Sequence, residues 1–282
     1  MLQNNKKKKQ SRLNVRKLVV SNNSSHQLWF ADNPFYAATF MGLSAIFPTG
    51  EKFFIQAVLN FRDQISDTQL LAEVNDFVRQ EANHYKMHQA LNEKIRVQGV
   101  DPEKLAKFCA TRLKWIQRLT SKKRQLAYTV CCEHFLAAFG HFLLSQPDHL
   151  AGLSEEDRVI WIWHAIEEVE HKSIAFDLYY HLGLSRWRLR ICMLEIMLVF
   201  AIDMSYLTLR QLFQLKSLTK RKTWRSASRF YLGEKGFLRH LRTEIRRFYR
   251  RDFHPWDSDD SALIKSYEHM IASHLQVSPI GR

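Results

Sequence analysis

The stretch "WHAIEEVEHKS", Trp163 to Ser173, sets three glutamates and two histidines among Trp161, Ile162, Ile166, Val169 and Ile174. Ionisable groups in such apolar company are costly to desolvate. A solvated helix face is the simplest explanation, and spacing tests it. On an α-helix, positions three, four and seven apart share a face. His164, Glu168 and His171 then project from one side, Glu170 points nearly opposite, and Glu167 lies at the flank. One face carrying His, Glu and His is not a uniformly polar surface.

A second stretch, "RQEANHYKMH", repeats the Glu-x-x-His spacing with Glu81 and His84, and His88 falls on the same face. Two such helices, each preceded by a helix with one inward glutamate, form the ligand plan of di-iron carboxylate proteins. The lone glutamates are present in the required order. Glu51 stands in "FPTGEKFFIQAV" and Glu133 in "YTVCCEHFLAAFGHFLL", both among apolar neighbours.

Carboxylates are hard anionic donors that bridge two cations, and neutral imidazoles complete the shell. Four glutamates with two or three histidines suit Fe or Mn better than structural zinc, which takes four ligands, often cysteine. Without metal, such a buried cluster would repel itself and its pKa values would rise. His88 fits a ligand, a residue that supports a ligand, or a hydrogen-bonded core histidine. Glu167 fits either a hydrogen bond to a ligand histidine or an exposed acid. His134 points about 100° from Glu133 and reads as packing, and Asp177 is too far round for direct ligation. Tyr85 and Tyr128 are weaker candidates near the centre. Cys109, Cys131, Cys132 and Cys192 contain no CxxC pair and read as reduced thiols of a cytoplasmic protein.

The surrounding chain reads as all-α. Among 282 residues, glycine (9) and proline (6) are scarce, which favours long helices. Residues 1–33 read as a basic arm with a tail at Lys6 to Lys9, and Leu18, Val19, Val20, Leu28, Trp29 and Phe30 as short docking strands. After Pro34 the pattern predicts a helix, a break at "FPTG", and a second helix starting near Glu51. Asp67 caps a helix to about Gln98, stopped by Gly99. Further helices run from Pro102 to about Leu119 and from Lys122 to Ser145. One more opens at Ser154 and runs to about His181, with Gly183 as its stop. Residues 34–190 thus form the metal bundle, and 191–282 an apolar, basic helical extension packed on it.

"ICMLEIMLVFAIDMSYLTL", Ile191 to Leu209, has the length of a membrane span but carries Glu195 and Asp203, so it reads as a buried or membrane-lying helix. The net charge of +14 is uneven: Tyr206 to Arg251 holds fourteen Lys or Arg against Glu234 and Glu244. With Phe230, Phe237, Leu241, Ile245 and Phe248 interleaved, the segment suggests peripheral contact with an anionic membrane on its inner face, or a solvated basic face. Nucleic acid is the less favoured partner. A homodimer is left open.

"NPFYAATFMGLSAIFPTGEKFF", "EANHYKMHQALN", "WHAIEEVEHKSIAFD" and "DFHPWD" resemble the family of predicted metal-dependent hydrolases, from about Asn33 to Asp257. The site pattern is also similar to that of the ferritin-like p-aminobenzoate N-oxygenases, which add a histidine four before the second Glu-x-x-His. The resemblance implies a ferritin-like four-helix bundle with additional C-terminal helices. It implies a two-metal ligand set of Glu51, Glu81, His84, Glu133, His164, Glu168 and His171, with two Fe as cofactor and Mn or Zn as alternatives. It also implies an O2-dependent oxygenase or oxidase acting on a hydrophobic small molecule and drawing on an electron donor. Hydrolysis by the same two metals, as the family description has it, is the second reading. A membrane- or nucleic-acid-binding helical protein without activity is the third.

Overall fold

The structure, a computed structural model, describes residues 13–19, 30 and 33–276. The Lys6 to Lys9 tail and the expected strand residues Val20, Leu28 and Trp29 lie outside these residues. The fold is all-α, with one two-residue antiparallel pairing of β1 (Lys17–Leu18) with β2 (Leu275–Gln276).

Helix α1 (Pro34–Leu59) runs unbroken through "FPTG", which corrects the expected break there. An internal proline normally leaves the carbonyl four residues earlier without its donor. Here that carbonyl is Ser44 O, and Asn92 Nδ2 from the next helix donates to it at 3.1 Å. With the orphan acceptor satisfied, α1 continues and carries Glu51 inward.

Helix α2 (Thr68–Val97) opens on Asp67, whose Oδ1 accepts from Gln69 N (2.9 Å) and Leu70 N (3.1 Å). It stops before Gly99, which takes φ +85°, a conformation costly for other residues. Asp101 caps α3 (Pro102–Leu119) and Ser121 caps α4 (Lys122–Ser145), and both helices span the expected residues. Ser154 caps α5 (Glu155–Glu170) by accepting from Asp157 N.

The helix expected from Ser154 to His181 is two helices. It breaks at His171–Ser173 and resumes as α6 (Ile174–His181). The break is held from outside. Lys172 Nζ donates to Asp260 Oδ2 (2.5 Å) and Ser258 O (2.9 Å) and lies over the Trp256 ring. Trp256 Nε1 donates to Ser173 Oγ (2.9 Å). These tertiary bonds anchor the side chains of the break to the C-terminal part of the chain. Gly183, at φ +64°, ends α6 as expected.

Helices α1, α2, α4 and α5 form the central bundle, with α1 packed on α2 and α4 on α5. Gly140 makes the second pairing close: a Cβ there would meet Ala165 O at 2.8 Å. Helix α7 (Arg186–Gln214), which runs across the expected boundary at residue 190, packs along α1 and α4. Both α4 and α7 are long and apolar enough to cross a membrane, but the apolar window of α4 is 83% buried and that of α7 only 39%. Helices α8 (Arg221–Leu232), α9 (Phe237–Phe248) and α10 (Ser261–Ala272) complete the extension. Phe230, Phe237, Leu241 and Phe248 of the basic segment are buried and turned to the bundle, while Trp224, Leu232 and Leu238 are exposed beside the basic side chains.

Candidate metal centre

The four central helices bring all seven expected ligands together. Glu51 comes from α1, Glu81 and His84 from α2, Glu133 from α4, and His164 and Glu168 from α5, while His171 sits at the break after α5; all are buried. Glu168 is the hub: its Oε1 lies 2.8 Å from His164 Nε2 and 3.6 Å from His84 Nδ1, and its Oε2 4.0 Å from His171 Nε2. His171 Nε2 lies 3.5 Å from Glu81 Oε1, and its Nδ1 2.8 Å from Glu133 Oε2. Glu81, His84, Glu168 and His171 place donor atoms within 4.8 Å of one another, and Glu51 groups with His164 and His88.

Each of the seven keeps at least one buried donor atom without a hydrogen-bond partner: both oxygens of Glu51 and Glu81, Glu133 Oε1, Glu168 Oε2, His84 Nδ1, His164 Nε2 and His171 Nε2. Burial would raise Glu168, but His171 and the close His164 ring hold it below its ordinary value. An uncompensated buried charge costs about 3–5 kcal/mol. Glu51 and Glu81 have no partner on either oxygen, and held as anions without a cation the two would consume most of a net stability of about 5–15 kcal/mol. The donor set therefore fits metal cations.

The protonation pattern follows from the same crowding. Burial, then Glu168 and Glu133, push Glu51 well above the carboxylate range, and Glu81 is raised in the same way. Burial pushes Glu133 up to about 7 although His171 opposes it. His84 is held well below its ordinary value by burial and by the neighbouring histidines, so its imidazole is neutral, the form that binds metal. Burial pulls His171 down, but Glu133 and Glu168 outweigh it and hold the ring at about 9.

Two hydrogen-bonded supports orient the imidazoles. Glu167 is fully buried rather than an exposed acid, and its Oε2 pairs with His84 Nε2 at 3.1 Å, leaving Nδ1 for the centre. The N-terminal arm holds this glutamate: Arg16 N donates to Glu167 Oε1 (3.2 Å), and the Arg16 guanidinium forks onto Glu170 (2.6 and 2.7 Å). The second support is a relay. His164 Nδ1 meets His88 Nε2 at 2.8 Å, His88 Nδ1 meets Ser44 Oγ at 3.1 Å, and Ser44 Oγ donates to Asn92 Oδ1 at 3.0 Å. One tautomer set satisfies every step, with Nδ1–H on both histidines. His88 has thus spent both ring nitrogens and orients His164.

The remaining sequence candidates lie elsewhere. His134 Nε2 meets Glu244 O, and its ring packs on Phe248. Asp177 pairs with His254, and Tyr85 lies under Lys52. Tyr128 lines the cavity described next but donates to Glu195. All four cysteines are free. Sequence reasoning missed Arg16, Ser44, Asn92, Lys172 and Trp256. Only Asn92 left a signal, standing four residues after His88 on the same face of α2.

An apolar cavity of about 130 Å³ lies between α1, α3, α4 and α7 and reaches Glu51, His164 and Glu168. Its walls include Phe47, Phe53, Leu113, Phe135, Ile196 and Phe200. Arg112 and Asp203, also on its wall, pair with each other.

Among curated proteins and among solved structures, nothing matches this chain. The sequence model of one family, described as predicted metal-dependent hydrolase, matches residues 14–259. That span holds the whole donor cluster, Arg16 and the brace at Trp256, and the chain belongs to the family of predicted metal-dependent hydrolases.

Proposed function

We propose that this chain holds two metal ions, iron in the native protein, in a ferritin-like bundle and uses O2 to oxidise an apolar small molecule. The observation that carries the reading is the set of seven buried side chains with orphan donor atoms. Glu51, Glu81, Glu133, Glu168, His84, His164 and His171 would hold the metals, and four carboxylates balance the charge of two divalent cations. Mn is the nearer alternative. Zinc is less suited, because no cysteine joins the cluster.

An iron pair would supply O2 activation and two-electron oxidation, with an external electron donor. The chain's own residues do the rest. Glu167 and His88 fix the ring orientations of His84 and His164. The phenylalanine-rich cavity binds the substrate by desolvation and keeps water from the reacting groups. The reduced thiols suit a cytoplasmic setting.

Hydrolysis is the second reading, favoured by the family description. It calls for polar groups that orient a scissile ester, amide or phosphate. The cavity's Arg112, Asp203 and Tyr128 are already engaged with other side chains, which favours oxidation. Protein loaded with Fe(II) should consume O2 when given a reductant and an apolar compound. O2-independent ester hydrolysis with Mn or Zn, without such uptake, would replace oxidation by hydrolysis.

A further inference from the structure

We propose that the α3–α7 face docks on an anionic lipid layer, and that the cavity draws from it a substrate with a slim apolar end. The substrate half of this rests on the function proposed above; the docking half does not.

Three observations converge. From Ile191 to Leu209, about 27 Å of helix, the exposed positions of α7 are Ile191, Leu194, Leu198, Ala201, Ile202, Ser205 and Leu209, with no charge among them. Of the two acids of that stretch, Asp203 is buried against Arg112, and Glu195 is half-buried at the edge of the strip with its charge paired to Arg124. A solvent-facing helix would spread charge over such a surface.

Cations flank this strip. Exposed Arg188 stands before it, and exposed Lys216, Lys220, Arg221 and Lys222 follow it. On α3, which packs against α7, Trp115 (53% exposed) and Leu119 (76%) stand among exposed Lys107, Lys114 and Arg118. Apolar and aromatic side chains bordered by Lys and Arg match a layer of acyl chains under anionic headgroups.

The cavity runs between the same two helices. Ala110, Leu113 and Ile116 of α3 face Val199 and Phe200 of α7 along its half-buried outer part, while His164 and Glu168 lie deep. Its 130 Å³ compares with the roughly 150 Å³ of an apolar cavity that takes a benzene-sized guest. A whole lipid-soluble molecule does not fit. Its apolar end enters, and the remainder stays in the layer the face rests on.

The test is co-sedimentation of the full chain with vesicles of phosphatidylcholine alone or mixed with phosphatidylglycerol. We expect binding to the mixed vesicles that weakens with salt. Leu194→Asp with Leu198→Asp should lower it at least tenfold, with unchanged circular dichroism and metal content. The metal-site variant Glu168→Ala should still sediment, which separates docking from the metal reading. For the cavity, Ala110→Trp should keep vesicle binding but abolish binding of a fluorescent fatty acid by the metal-loaded protein. Absence of binding to mixed vesicles, or equal binding by the double aspartate variant, would overturn the docking. A wild-type dimer that this variant converts to a monomer, with no vesicle binding, would also overturn it and assign the face to a second copy of the chain. Undiminished fatty-acid binding by Ala110→Trp would overturn the substrate half.

Discussion

Asn92 donates to the carbonyl of Ser44, the acceptor that Pro48 leaves without a helical partner. The same asparagine accepts from the Ser44 hydroxyl, which stands behind His88 and His164. One side chain therefore keeps α1 continuous and fixes the tautomer that turns His164 Nε2 to the centre. His88→Phe keeps an aromatic ring beside Phe47 and Trp161 but removes both relay contacts. Metal affinity should fall about 10–100-fold, read by competition with a chelator. Unchanged affinity would contradict the relay.

Gly140 lets α4 approach α5 closely, seven residues after Glu133 and opposite Ala165, three before Glu168. Any Cβ there meets backbone, which has no rotamer to yield. Gly140→Ala should destabilise the protein by about 1–3 kcal/mol and lower its metal content, because the two glutamates move apart. Thermal melts and metal analysis of the folded fraction check both effects.

Arg16 is a cation that Glu167 and Glu170 share; Arg16 and Glu167 are buried and Glu170 is half-buried beside them. Arg16→Ala leaves both carboxylates short of a partner, so stability should fall by about 3 kcal/mol or more. Arg16→Lys should recover only part, since an ammonium cannot reproduce the forked contact. Denaturant titrations of the three proteins decide it; full rescue by lysine would contradict the forked role.

His240 of α9 stacks on His141 of α4, ring centroids 5.0 Å apart and planes 6° apart. Burial, then His141 and Arg247, lower it to about 4 against the pull of the Ala138 carbonyl and Asp260. Unfolded, the same ring takes a proton near pH 6.5. Its contribution is therefore complete above pH 6.5 and is lost as pH falls toward 4. The melting temperature should decline through this window, and His240→Phe should flatten part of the decline. An identical slope in the variant would contradict this assignment.

The donor set was legible in the sequence because it obeys helical spacing on four separate helices, and Glu51 and Glu133 kept the order the two Glu-x-x-His motifs demand. The two wrong boundaries share one cause. "FPTG" reads as a break until Asn92, 48 residues after Ser44, supplies the missing donor. Lys172–Ser173 reads as helix until Trp256, Ser258 and Asp260 fold back onto it. Glu167 was ambiguous for the same reason: Arg16, which holds it, lies 151 residues earlier. Local period sees which face a residue takes; it does not see a partner brought by the tertiary fold.

The central claim is that these seven side chains surround a pair of cations. Elemental analysis of the freshly purified chain, beside Glu168→Ala, tests it most directly. The account predicts about two transition-metal ions per chain in the wild type and loss of at least one when Glu168, the hub of the cluster, is removed. A wild-type protein that is folded and metal-free, or a variant that keeps its full complement, would contradict it.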